Sequence, residues 1–328
     1  MLAPIASSVL FSVLLLLFNN SAYAQWHNLA EDIMGTRVSV ELWHKDQLQA
    51  DQAMAAVMAV MHQVNASMSP YLESSELYQL NAHAAQTPVV VSADLFSLLQ
   101  KSLYYSKISD GKFDISFASV GRFYNYRKSL APSERERLDN LPAINYRQIQ
   151  LNSAQSSVRF LHPQLKIDLG GIAKGYAVDR AIALLEQRGI ASAIVSAGGD
   201  SRILGDRRGT PWVMGIRHPR KAEQYAVRIP LINSAISTSG DYERFFIKDE
   251  QRVHHIINPA TGKSVSSVQS VSILAPLAVD SDALSTTVFV LGIEQGLALV
   301  NNMPGIDAII IAADGRLHYS DELLRAQP

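Results

Sequence analysis

Residues 166–189 read KIDLGGIAKGYAVDRAIALLEQRG, and their order sets the architecture. Lys166 to Asp168 predicts a strand ending in a carboxylate. Gly170-Gly171 makes a turn, and Ala177, Val178, Ala181, Ile182 and Leu185 then recur at helical spacing up to a closing glycine, Gly189. Such a turn presents unpaired backbone N–H groups and the positive end of a helix dipole, which suits a phosphate or another anion, with Lys174 as a further point charge. The same letters also describe an ordinary strand–helix turn. The G-x-x-x-x-G-K and G-x-G-x-x-G spacings are absent, so it is neither a P-loop nor a dinucleotide fingerprint.

Working outward, Ser192 to Ala197 predicts a strand running into Gly198-Gly199. Trp212, Met214 and Ile216 alternate, and 227–232, 271–274 and 308–312 are further apolar strands, with a helical stretch over 282–301. Upstream, Met54, Val57, Met58, Met61 and Val64 form one helical stripe, read as core packing, and Leu95 to Leu103 form another behind Ser92 as cap. The polar segment 128–147, with two prolines, is expected as a surface excursion. Helices and strands mix without strict βαβ alternation, which predicts an α+β fold of mixed sheets with packed helices.

The 328 residues are 48% hydrophobic and 18% charged, enough for a substantial core. Lys+Arg 29 against Asp+Glu 30 leaves no basic surplus, which argues against nucleic acid as a partner. With Cys 0, disulfides, zinc–thiolate sites and a cysteine nucleophile are excluded, so any metal must be held by oxygen or imidazole. The apolar run 5–18 and Ala22-Tyr23-Ala24 read as a secretory signal over 1–24, leaving 25–328 as an exported protein, expected to be periplasmic and soluble after cleavage. There is no lipobox cysteine.

Three further clusters carry candidate chemistry. Asp282 and Thr286 lie at i and i+4, so that both oxygens, with Ser285 beside them, can converge on a hard cation such as Mg²⁺; alternatively Asp282 caps the helix and Thr286 faces solvent. His255 precedes a Pro-Ala-Thr-Gly corner, where an imidazole serves either as a base or as a hydrogen-bonding group. Ala197-Gly-Gly-Asp200 and Ser237-Thr-Ser-Gly240-Asp-Tyr read as polar glycine corners. A G-x-S-x-G elbow is absent.

Taken in order, Met34-Gly-Thr36, Ser69-Pro-Tyr71, Asp110-Gly-Lys-Phe113-Asp114, Asp168-Leu-Gly-Gly-Ile-Ala-Lys174, Ala197-Gly-Gly-Asp200, Ser237 to Arg244, His255 to Gly262 and Asp282 to Thr286 resemble the ApbE family of FAD:protein FMN transferases. The resemblance spans nearly all of 25–328 and implies a single flavin transferase domain with its site in a cleft between two subdomains. It further implies FAD contacts at Met34, Tyr71, Lys112, Phe113, Asp114, Asp168, Lys174 and Ile256, and Mg²⁺ at or beside Gly171, Asp282, Ser285 and Thr286. The implied reaction is Mg²⁺-dependent transfer of FMN from FAD to a threonine hydroxyl of an acceptor protein, expected to be a membrane-linked redox subunit, with release of AMP. His255 is the leading candidate for the base and Asp168 the alternative. Two competing readings keep the same site: an FAD pyrophosphatase giving FMN and AMP, and an exported FAD-binding protein without catalysis. Departures from the family pattern are His218 where an acid is common and a Gly121–Tyr126 segment without its usual tryptophan.

Overall fold

The computed structural model describes residues 25–221 and 223–325. The expected signal over 1–24 lies outside the described residues. Strands β1 (Gln25–Ile33) and β2 (Thr36–His44) form a hairpin, followed by α1 (Gln47–Met68), α2 (Glu76–His83), β3 (Val89–Val90) and α3 (Ala93–Ile108). The short helices α4 (Ala118–Gly121) and α5 (Glu134–Asn140) lead to β4 (Ile149–Asn152), β5 (Ser157–Phe160) and α6 (Ala173–Gln187). Then come β6 (Ala193–Ala197), β7 (Asp200–Leu204), the hairpin β8 (Trp212–Arg217) and β9 (Tyr225–Leu231), and β10 (Ala235–Gly240). Two short pairs follow, β11 (Phe245–Lys248) with β12 (Gln251–His254) and β13 (Ile257–Asn258) with β14 (Lys263–Ser264). The chain ends through β15 (Val268–Ala275), α7 (Ala278–Leu291), α8 (Ile293–Asn301), β16 (Asp307–Ala312), β17 (Leu317–Tyr319) and α9 (Asp321–Arg325).

The frame is an eight-stranded antiparallel sheet in the order β1-β2-β6-β7-β10-β15-β16-β17, which makes the protein α+β as the sequence predicts. Helices α1, α6, α7 and α8 cover one face. The methionine stripe of α1 is buried there, so its helical spacing reports packing. On the other face the β8–β9 hairpin lays Ile216, Met214, Val227 and Ile229 over Ile236, Leu274 and Ile309. Covered on both sides, β15 is buried along its whole length, its polar residues Gln269, Ser270 and Ser272 included. The remaining layer holds α2, α3 and the small sheet β3-β5-β4, and one continuous apolar cluster joins Leu77, Leu95 and Phe160 of this layer to Val38 and Val195 of the large sheet.

Four expectations are corrected. Residues 166–169 are extended but pair with no strand: the Asn81 side chain takes a strand's place, donating to the Ile167 carbonyl and accepting its N–H, both at 2.8 Å. The helical stretch expected over 282–301 is two helices that begin earlier, at Ala278, and break at Gly292 (φ 80°). Ser237 to Gly240 is no corner but the central strand β10, between β7 and β15. Finally, segment 128–147 is more than a surface excursion, because Arg137 and Asn140 of α5 are buried and Arg137 donates to the Thr261 carbonyl at 2.5 Å, bracing the Pro-Ala-Thr-Gly turn.

Candidate active site

Two hairpin turns and two helices meet at one end of the sheet. The β1–β2 turn is the two-residue loop Met34-Gly35, with φ 56° and 70°, the left-handed pair that matches the twist of a tight hairpin. A methionine in that region is strained, and its half-buried side chain packs on the core edge. The β6–β7 turn, Gly198-Gly199, sits so close that a Cβ on Gly198 would come within 2.6 Å of Thr36 Oγ1, and one on Gly199 within 2.7 Å of the Thr238 carbonyl of β10. Glycine is required at both positions because backbone and side chain converge there.

Helix α6 starts at the same place, and α7 packs across it. A Cβ on Gly175 would meet the Ala278 carbonyl at 2.2 Å and Asp282 Cβ at 2.8 Å, so only glycine permits this approach. The approach lets Gly175 N–H donate to Asp282 Oδ2 at 2.9 Å. Asp282 therefore neither caps α7 nor faces solvent: it is buried at the fifth position of that helix. Lys174 Nζ donates to Asp200 Oδ2 at 2.5 Å and lies 3.4 Å from Asp282 Oδ1. Two buried carboxylates thus share one ammonium. Burial and Asp200 push the Asp282 carboxyl up to about 7, against the pull of Lys174 and the Gly175 N–H. Burial opposes the charge of Lys174, but Asp200 and Asp282 outweigh it and hold the ammonium above the usual lysine range.

One turn along α7, Thr286 Oγ1 has a single long contact, 3.4 Å to Ser239 Oγ, and lies 3.2 Å from where a Gly171 Cβ would stand. Ser285 is more committed, donating to the Asp282 carbonyl at 2.9 Å and bonding Ser239 at 2.8 Å. Gly171, Asp282, Ser285 and Thr286 are therefore together, with Asp200 and Lys174 as neighbours. Among the described residues no group of three or more His, Asp or Glu forms a ligand set.

Asp168 N–H donates to the Ile115 carbonyl at 2.9 Å, and its Oδ1 accepts from Gly170 N–H at 2.6 Å. Burial raises Asp168 above the usual carboxylate range, while the Gly170 N–H, Arg244 and Lys174 favour its ionised form. His255 lies in the same field. Burial, assisted by Arg244, His254 and Lys174, lowers its imidazole to about 3, and its Nδ1 is buried without a partner. Ile256 beside it is buried, its N–H donating to His254 Nδ1 at 3.3 Å.

Tyr71 stands at the rim, 82% exposed, with Asp168 and Arg244 the charges acting on its hydroxyl. Phe113 lies behind the glycine turn, its ring 3.4 Å from where a Gly171 Cβ would stand. Lys112 is half-buried one residue before it. Asp114 is turned inward: Oδ1 accepts from Ser116 N–H and Oγ at 2.8 and 2.5 Å, and Oδ2 from Tyr146 N–H at 2.8 Å. Its oxygens accept within the fold and so shape the Lys112–Phe117 turn.

Arg244 escaped the sequence reading. It follows β10 in the loop to β11, and its charge acts on Asp168, His255, Tyr71 and Tyr126 at once. Its guanidinium is 3.8 Å from where a Gly35 Cβ would be, which puts it at the β1–β2 turn. Among the described residues no carboxylate ion-pairs with it. The only signal in the sequence was its place at the end of Ser237-Thr-Ser-Gly-Asp-Tyr-Glu-Arg244; a lone arginine carries no spacing of its own.

Fold and site define a class: an α+β protein with a site lined by oxygens, a lysine and an arginine, suited to a phosphate-bearing ligand. The profile of the ApbE family matches residues 34–310. An FAD:protein FMN transferase of Treponema pallidum is 33% identical over 313 residues, covering 90% of this chain and 86% of its own length. One from Haemophilus influenzae is 29% identical, covering 84% of each chain. The crystal structure of the ApbE protein of Thermotoga maritima superposes with a TM-score of 0.85 at 31% identity, over 93% of this chain and 100% of its own. The chain belongs to the ApbE family.

Proposed function

We propose that this enzyme is an Mg²⁺-dependent FAD:protein FMN transferase, which moves FMN from FAD to a threonine hydroxyl of an acceptor protein and releases AMP. The observation that carries the reading is the meeting of Lys174, Arg244 and the glycine turn of α6 with the oxygens of Asp282 and Thr286. The flavin-transferase names of the relatives support the same direction.

The donor set fits a hard cation. Two buried carboxylates face one ammonium, leaving a local excess of negative charge, and Thr286 Oγ1 has little to do within the fold. Asp282, Thr286 and the Gly171 carbonyl would hold Mg²⁺, with Ser285 beside them. Bound there, it would withdraw charge from the pyrophosphate oxygens. Lys174 and Arg244 neutralise the remaining charge, and the N–H groups at the start of α6 add their dipole. The acceptor's Oγ bonds to the FMN phosphorus as the bond from that phosphorus to the bridging oxygen breaks, and AMP leaves with the electron pair. The hydroxyl proton goes to His255, which is neutral at pH 7 and so has a lone pair to offer, or alternatively to Asp168. A bound pyrophosphate would offset Arg244 and Lys174 and make His255 a stronger base. The enzyme acts as a single domain after export to the periplasm.

The test incubates the chain from Gln25 onward with FAD, Mg²⁺ and a candidate acceptor domain, recording acceptor intact mass and released AMP. One added FMN per acceptor with matching AMP is the expected result. AMP without a mass gain would replace transfer by pyrophosphatase action, and neither signal with FAD still bound would leave a binding protein.

A further inference from the structure

Strands β11 and β12 form a hairpin closed by the two-residue turn Asp249-Glu250, and its open end lies at the candidate site. There His255 N–H donates to the Arg244 carbonyl at 3.2 Å, so Arg244 and His255 are a hydrogen-bonded pair. The alternation of an antiparallel ladder then makes Phe246–Val253 and Lys248–Gln251 the next two such pairs. The residues between them turn their backbone groups outward. On β12 the outward groups of His254 are taken: its N–H donates to Ser264 Oγ at 2.9 Å, and the Ser264 hydroxyl donates to its carbonyl at 2.6 Å. On β11 the outward groups are the N–H and C=O of Phe245 and Ile247. β11 pairs with no strand but β12, and among the described residues none of these four groups has a hydrogen-bond partner.

The hairpin is held in place on both faces. Phe246 is buried with its ring 6.2 Å from that of Tyr126, and His254 is buried edge-on to Phe289 of α7 at 5.6 Å. Arg252 lies over the Phe245 ring at 3.7 Å, and Phe245 and Ile247 stay 38% and 58% exposed. Charges along the hairpin are of both signs, Lys248 and Arg252 against Glu243, Asp249 and Glu250, so the edge selects by backbone pairing and not by net charge. A fixed, open strand edge takes an extended polypeptide. What distinguishes this edge is where it leads, because its ladder runs into Arg244 and His255, and the proposed reaction needs a polypeptide to present a hydroxyl there. We infer that the outer edge of β11 receives an extended segment of the acceptor protein as an added strand, bonded to Phe245 and Ile247, which delivers the acceptor's threonine to the Arg244 end. The inference rests on the proposed transfer. In an added strand the residue opposite Arg244 points to the same face, with the two Cβ atoms about 5 Å apart, so the hydroxyl enters beside the guanidinium.

The test uses the chain from Gln25 onward with FAD and the acceptor domain of the transfer assay, and adds Mg²⁺ for kinetics. Amide hydrogen exchange, read residue by residue, should show Phe245 and Ile247 slowed about tenfold or more by the acceptor domain, with Phe246 and Lys248, already bonded to β12, little changed. Ile247→Pro removes an outward N–H and no ladder bond, a place where an edge strand tolerates proline. It should raise KM for the acceptor about tenfold with kcat and FAD affinity kept, and Ile247→Thr, which keeps the N–H, should retain the parent's KM. Should the proline variant fail to fold, exchange in the parent chain decides. An acceptor that takes FMN without protecting Phe245 and Ile247, or a folded Ile247→Pro chain with the parent's KM, overturns strand addition and leaves the reaction standing. An equal rise of KM in Ile247→Thr assigns the contact to the side chain and overturns it too. If the parent chain transfers no FMN, the proposed reaction falls and takes the inference with it.

Discussion

His255 carries the sharpest residue-scale expectation. Its folded pKa is depressed to about 3 from 6.5, so its contribution to stability is present above 6.5 and is lost as pH falls through 3, where the unfolded chain takes up a proton that the folded one refuses. Denaturant titrations across that window should show a slope of up to about 1.4 kcal/mol per pH unit from this group, and His255→Gln should flatten it; an unaltered slope would mean the imidazole is already solvated. The same variant should lose FMN transfer and keep FAD binding, whereas lost binding would make His255 structural. Arg244 acts on Asp168, His255 and Tyr71 and has no ion-pair partner among the described residues, so Arg244→Ala should cut kcat/KM about a hundredfold or more with an unchanged melting temperature. Retained activity would remove it from the site.

At the element scale, the site exists because α6 and α7 touch. The near-collision of a Gly175 Cβ with the Ala278 carbonyl predicts that Gly175→Ala costs about 3 kcal/mol and displaces Asp282, lowering thermal stability and turnover together. A stable variant with full turnover would show that the helices have slack. Asn81 plays a similar part for Asp168, standing in for a strand on both sides of Ile167. Asn81→Ala leaves a backbone donor and acceptor unpaired and should cost about 3 kcal/mol, checked by chemical denaturation.

For the whole molecule, ligand binding and stability are coupled, because residues of distant parts of the chain build one end of one sheet. If Asp282 and Thr286 hold Mg²⁺, a concentration of about 100 times Kd should add about 2.7 kcal/mol of stability. Melting with Mg²⁺ and with EDTA should therefore differ in the parent and not in Asp282→Ala. An equal shift in both would place the ion elsewhere.

How much the sequence determined by itself follows from the range of the forces involved. Helices α1, α3 and α6 and strands β6, β15 and β16 were legible, because periodic burial and capping are local and repeat along the chain. The glycine turn before α6 and the Asp282/Thr286 pair were legible for the same reason, as spacings within one helix or turn. Only the tertiary structure decided that Lys174 bridges Asp200 and Asp282, that Arg244 reaches the Met34-Gly35 turn, that Asp114 faces inward and that Asn81 replaces a strand. Each depends on partners from tens of residues to more than a hundred away, which no local period encodes. Burial, which lowers His255 and raises Asp282, is likewise a property of everything packed around a group and is written in no stretch of the sequence.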